Sequence, residues 1–230
     1  MKAKDGWRPL HFAALIGNKD VAELLIANGA NVNVMADLGW APLHCAAARG
    51  HKALAELLLH NGGNVNAKRV DGSTPLHSAA AYGQKDLAEI LLDNGGDVNA
   101  KTDKGVTQLH LAIGSGNNDL VKLLLVKGAD VKAKMNDGVT LLHCAAAYGH
   151  QDFAELLLAK DADVNAKNNV GQTPVHSAAM HGYKDLTELL LAKGAKINEK
   201  NNEGDTPLSL AIYNHHATVV ALLRAHGARE

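Results

Sequence analysis

The sequence predicts an all-α repeat solenoid, and three observations carry that prediction. Glycines at Gly6, Gly39, Gly72, Gly105, Gly138, Gly171 and Gly204 return at a constant step of 33, without insertion or deletion, so seven copies of one unit fill the 230 residues. A second series, Gly17, Gly50, Gly83, Gly116, Gly149 and Gly182, keeps the same step. So do the apolar pairs Leu24/Leu25, Leu57/Leu58, Ile90/Leu91, Leu123/Leu124, Leu156/Leu157, Leu189/Leu190 and Leu222/Leu223. The composition, 47% hydrophobic but 3% aromatic, suits a core of Leu, Val and Ala between small, closely packed helices. The units run over about 3–35, 36–68, 69–101, 102–134, 135–167, 168–200 and 201–230, and one domain over 1–230 is expected.

Each element of the unit has its own signal, read here from the third copy, VDGSTPLHSAAAYGQKDLAEILLDNGG. A turn forms around Val70-Asp71-Gly72, and Thr74-Pro75 starts a helix. Thr74 supplies a hydroxyl for an unpaired N–H of the first turn, and Pro75 lacks an N–H that would have no partner there. The Ala-rich stretch breaks at Gly83. A second helix follows, with Leu87, Ala88, Ile90 and Leu91 on one stripe and Lys85, Asp86 and Glu89 facing water. Two short helices cannot bury that stripe between themselves. Stacking the next unit against it does, at about 1.5–3 kcal/mol per buried Leu, which outweighs the marginal stability of isolated helices this short.

The same numbers exclude several classes of function. Lys+Arg 23 against Asp+Glu 24 leaves a net charge of −1, no field to draw in nucleic acid or an anionic membrane. No apolar run approaches the ~20 residues needed to span a bilayer, and the start MKAKDGWRPLH lacks a signal-peptide apolar core. Two cysteines, Cys45 and Cys144, and no Asn-x-Ser/Thr sequon point to a reducing, cytoplasmic setting. Metalloprotease, nucleophile-elbow, phosphate-loop and zinc-type cysteine motifs are all missing, so no catalysis, metal, cofactor or small-molecule substrate is expected.

The repeated pattern D-x-x-G-x-T-P-L-H-x-A-A-x-x-G, followed by the Leu-Leu pair and G-A-x-V-N, resembles the ankyrin repeat from about Ala3 to Ala228. The resemblance implies antiparallel helix pairs in an elongated, slightly curved solenoid, β-hairpin loops projecting at right angles, and non-covalent protein binding on a concave face of hairpin tips and first helices. It fixes the fold more firmly than the partner.

Six histidines, His11, His44, His77, His110, His143 and His176, share the third helical position, where the ring reaches back to the helix cap. The resemblance implies that each ties one corner to its neighbour. Departures fit a structural role. Arg8 and Ala41 replace the threonine but are followed by Pro9 and Pro42; Gln108 and Leu141 replace the proline but follow Thr107 and Thr140; Ser209 replaces the histidine in the last copy. Helices stacked roughly 10 Å apart do not bring equivalent histidines together as metal ligands.

Other ladders have plainer readings. Cys45 and Cys144 lie about 30 Å apart in such a stack, beyond disulfide reach, as small buried hydrophobes. Lys2, Lys68, Lys101, Lys134, Lys167 and Lys200 suggest a phosphate stripe, but Asp71, Asp103, Asp137 and Glu203 lie within three residues and point to a neutralised, solvated edge. His215-His216 with His181 is the one local histidine excess. Asn33, Asn66, Asn99, Asn165 and Asn198 are expected to satisfy loop backbone groups.

Partner-binding residues are sought where the repeat leaves choice. The position after the turn glycine holds Trp7, Trp40, Ser73, Val106, Val139, Gln172 and Asp205; before the second glycine come Arg49, Tyr82, Tyr148, Met180 and His181. Trp, Tyr and Arg are enriched among binding anchors. We therefore expect a non-catalytic module that binds a protein or peptide through Trp7, Trp40, Arg49, Tyr82, Val106, Val139, Tyr148, Met180 and His181, with Trp7 and Trp40 exposed. A consensus-like or engineered stack with no native partner, or the interaction module of a larger protein, enzymatic or not, are the alternatives. The first copy, with Leu15, Ile16, Val21 and Leu25, lacks a polar outer face and suggests an artificial cut or a covering partner; the last, with Asn214, His215, His216, Arg224, Arg229 and Glu230, is more cap-like.

Overall fold

A computed structural model describes residues 5–229; Lys2 and Glu230 lie outside the described residues. The chain forms two compact units, Met1–Ala129 and Asp130–Glu230. In the first, four helix pairs follow one another: α1 (Pro9–Ile16) and α2 (Lys19–Ala27), α3 (Pro42–Arg49) and α4 (Lys52–His60), α5 (Pro75–Ala81) and α6 (Lys85–Asp93), α7 (Gln108–Gly114) and α8 (Asn118–Val126). The second holds three: α9 (Leu141–Tyr148) and α10 (Gln151–Leu158), α11 (Pro174–Met180) and α12 (Lys184–Ala192), α13 (Pro207–Tyr213) and α14 (Ala217–Ala225).

Within each unit the first helices form one row and the second helices another. α1, α3, α5 and α7 pack in sequence, as do α2, α4, α6 and α8; α9, α11 and α13 and α10, α12 and α14 repeat the arrangement. The core is the seam between the rows. In α6 it takes Leu87, Ala88 and Leu91, while Ile90 is only half-buried, so the buried stripe is narrower than the sequence pattern implies. Short helices survive here because alanines such as Ala46, Ala47, Ala79 and Ala80 are fully buried and let the first helices approach closely.

Helix starts follow the cap chemistry. Thr74, Thr107, Thr140 and Thr206 accept from the N–H three residues on. Between helix pairs the chain makes tight hairpin-like turns: Arg69 N–H donates to Ser73 O at 2.9 Å and Gly72 N–H to Arg69 O at 3.0 Å. These turns are too short to form strands; an isolated antiparallel bridge, Lys134 with Thr140, is the extent of β pairing among the described residues.

The asparagine ladder joins successive loops. Asn33 Nδ2 donates to Gly62 O at 2.8 Å while its Oδ1 accepts from Asn64 N–H at 2.7 Å. Asn66 and Asn165 make the same two bonds one repeat onward, Asn99 Nδ2 bonds Gly128 O at 3.0 Å, and Asn198 Oδ1 accepts from Arg229 N–H at 2.8 Å.

Candidate functional site

The corner histidines have a defined tautomer. Backbone N–H groups of Arg8, Ala41, Thr74, Thr107, Thr140 and Thr173 donate to Nδ1 of His11, His44, His77, His110, His143 and His176 at 3.0–3.3 Å. An accepting Nδ1 leaves the proton on Nε2. That Nε2–H donates to a carbonyl 29 residues on: Trp40 for His11, Ser73 for His44, Val106 for His77, Gln172 for His143 and Asp205 for His176. All six rings are buried. Burial holds His11, His77, His143 and His176 below the usual imidazole range and pushes His44 down to about 4, which keeps them neutral near pH 7.

The acceptor in each bond is the residue directly after a turn glycine, one of the positions that varies from repeat to repeat. A carbonyl oxygen is the same whichever side chain it carries. The corner can therefore be tied identically while the side chain beside it changes.

A second set of ties, missed in the sequence, lies at the other end of the first helices. The residue after the second glycine, or after His215 in its place in the last copy, reaches back to the preceding repeat: His51 Nε2–H donates to Leu15 O at 3.2 Å, Asn117 Nδ2 to Gly83 O at 2.9 Å, and His216 Nε2–H to Met180 O at 2.9 Å. These side chains fill the space over the glycines. A Cβ on Gly182 would lie 2.5 Å from His216 Nδ1, and Gly182 itself sits at φ +78°, so both shape and backbone demand glycine there. His216 is thus tied to backbone rather than paired with His181, whose own Nδ1–H bonds Ser177 O at 2.9 Å in its own helix.

Recognition candidates in the second unit converge. Val139, Tyr148, Met180 and His181 line one open groove of about 420 Å³, together with Met135, Cys144, Gln172 and Ser177, and none of its lining residues is Lys, Arg, Asp or Glu. Tyr148 is exposed and stacks on His150 at 6.2 Å; His181 stacks on Tyr183 at 6.1 Å. Met135 was not anticipated, although the signal was available: residues alternate sides in an extended turn, and its neighbour Lys134 lines a different groove with Asp161 and Asp163. That alternation keeps Lys134 off the groove that Met135 lines. Lys167, whose own turn carries no acid, pairs with Glu199 of the next repeat at 2.7 Å.

In the first unit, Arg49 and Tyr82 are exposed and Val106 is half-buried. The two tryptophans are not exposed as expected. Both are half-buried: Trp7 tilts against His11 and Phe12 at 5.3 Å, and Trp40 meets His44 edge-on at 6.1 Å with the Arg69 guanidinium 4.2 Å from its ring centroid. Large rings beside a packed helix bury part of their area on it wherever neighbours allow. Exposed apolar surface lies instead on Phe12 and Ile16 of α1 and on Val21 and Leu24 of α2, whereas Leu15 and Leu25 are half-buried.

Both cysteines are buried and reduced. Burial pushes each thiol up to about 12, so neither is a thiolate near neutral pH. Among the described residues no three His, Cys, Asp or Glu are grouped to hold a metal, and no helix is long and apolar enough to cross a membrane.

The family model for ankyrin repeats (3 copies) matches residues 10–102, 76–168 and 163–229. The chain belongs to the ankyrin repeat family. A solved structure described as the human ASB11 ankyrin repeat domain superposes with a TM-score of 0.85 at 30% identity, covering 97% of this chain and 100% of that one. No curated protein matches the chain in sequence. Ankyrin repeats are generally protein-interaction modules and typically non-catalytic.

Proposed function

We propose that this ankyrin-repeat chain is a non-catalytic scaffold that binds a protein or an extended peptide on the concave faces formed by its turns and first helices. The observation that carries the reading is the groove of about 420 Å³ in the second unit, which gathers Val139, Tyr148, Met180 and His181, chosen from the sequence as free positions, around an uncharged floor. An open, mostly apolar groove with a few polar groups at its edge suits a peptide or a protein edge. In the first unit, Trp7, Trp40, Arg49, Tyr82 and Val106 are the corresponding candidates, with the tryptophans serving as partly packed platforms. No nucleic acid, membrane or small-molecule partner is needed.

Local strain weighs against a stack selected for stability alone. Leu38 and Asp161 sit at φ +60°, a left-handed backbone that costs a non-glycine residue about 1 kcal/mol or more, and Leu38 is exposed.

A photo-crosslinking residue placed at Tyr148, compared with one at exposed Glu188 on α12, tests the reading in extract from the source cells. A protein adduct at Tyr148 and none at Glu188 is expected. Adducts at Glu188 alone, or equally at both, contradict it.

A further inference from the structure

We propose that the first-helix face of the first unit, around Trp40, Arg69 and Arg49, takes a partner segment in which an Asp or Glu lies next to a large aliphatic or aromatic residue. The proposal rests on the protein-binding reading and adds the chemistry of the partner.

Charge complementarity carries it. Helices α1, α3 and α5 contain no Asp or Glu, and their one ionised side chain is Arg49. Arg49 is exposed and takes part in no ion pair among the described residues. Arg69 comes to the same face from the following turn. Its guanidinium lies 4.2 Å from the Trp40 ring centroid, and its charge acts on His44 and Cys45 of α3, the helix that ends at Arg49. Its Nη2 pairs with Asp71 Oδ2 at 3.6 Å, while Asp71 Oδ1 accepts from Ser73 N–H at 3.0 Å, and the buried Nε of Arg69 has no acceptor. Arg49 is therefore left without a counter-charge, and Arg69 holds one long ion pair.

Apolar surface lies beside them. Phe12 and Ile16 are exposed on α1, which packs directly against α3. A planar guanidinium resting on an indole is pre-organised to grip a carboxylate through parallel N–H donors. A neighbouring Leu or Phe on the same segment would then cover Phe12 and Ile16. A purely apolar segment would desolvate the arginines without compensation, and a basic one would be repelled.

The test is selection of displayed random short peptides on the immobilised full chain, with binding of the enriched peptides then measured on variants. Enriched sequences should place Asp or Glu close to Leu, Ile, Phe or Trp, and Arg49→Glu, whose site is exposed, should weaken them roughly tenfold or more with an unchanged melting curve. Arg69→Lys, which retains charge but not the bidentate grip, should weaken them less. Enrichment of neutral or basic peptides, or acidic-apolar peptides that bind Arg49→Glu unchanged, overturns the proposal. If such peptides still lose binding in Tyr82→Ala or Tyr148→Ala, the protein-binding reading stands without it. Peptides indifferent to every first-helix replacement, or no enrichment, sink both.

Discussion

The Nε2–H of His77 donates to the backbone carbonyl of Val106, 29 residues along the chain, at 3.1 Å. Its Nδ1 accepts from Thr74 N–H at 3.1 Å, so one buried ring bonds the start of its own helix and the turn of the next repeat. Replacing His77 by Ala would strand the Thr74 N–H, leave Val106 O with Thr102 N–H as its remaining donor, and open a cavity. We expect a loss of about 2–4 kcal/mol in unfolding free energy, read from urea titrations. A loss within the range of an ordinary surface change would contradict this account of the corner.

Acid should weaken the fold before the carboxylates protonate. Burial depresses the folded-state values of His11, His44, His77, His143 and His176 below the unfolded 6.5. In the window below 6.5 the unfolded chain binds more protons than the folded one, so stability is full above that window and declines as pH falls through it. His44, depressed to about 4, contributes a decline on the order of 3 kcal/mol by the bottom of its window. Urea midpoints should fall steadily between about pH 7.5 and about pH 5, and a flat profile over that range would count against neutral buried rings.

The second set of ties gives a coupling test. Gly182→Ala brings a Cβ against His216 and strains a φ of +78°, whereas Gly194, at φ +89°, has nothing within 4 Å. Gly194→Ala should show the backbone cost alone, about 1 kcal/mol, and Gly182→Ala about 1–2 kcal/mol more. Adding His216→Ala should recover part of that excess. Additive losses in the double variant would remove the steric explanation.

Gln108 occupies the first helical position of α7, where most copies place proline. It is fully buried, its Nε2 donates long hydrogen bonds to His77 Nδ1 and Asp97 O at 3.2 and 3.3 Å, and its Oε1 has no partner. Thr107 before it is already extended, at φ −103° and ψ 166°, as a residue preceding proline must be. Gln108→Pro should therefore stabilise the chain by about 0.5–1 kcal/mol, measured as a raised urea midpoint.

Much of this architecture was legible because a fixed period makes each repeat a copy of its neighbours' environment. Thr74, Pro75 and His77 announce the helix start through local chemistry, and the alanines announce close packing. Features that depend on a side chain one repeat away were harder to read. Trp40 looked exposed because its sequence neighbours say nothing of Arg69 lying over its ring. The ties of His51 and His216 are hidden in the sequence because their carbonyl partners, Leu15 and Met180, are 36 residues back. Met135 lines the same groove as Val139 but stands outside the positions that the repeat marks as free.

The most direct measurement of the central claim is the affinity of a captured or selected protein ligand for the full chain carrying Tyr148→Ala and Met180→Ala, against the same chain carrying Glu188→Ala. The groove pair should lose affinity by roughly tenfold or more with little change in melting temperature, and Glu188→Ala should leave affinity as it was. Full affinity in the groove pair, with loss on Glu188→Ala, would place recognition elsewhere and contradict the account.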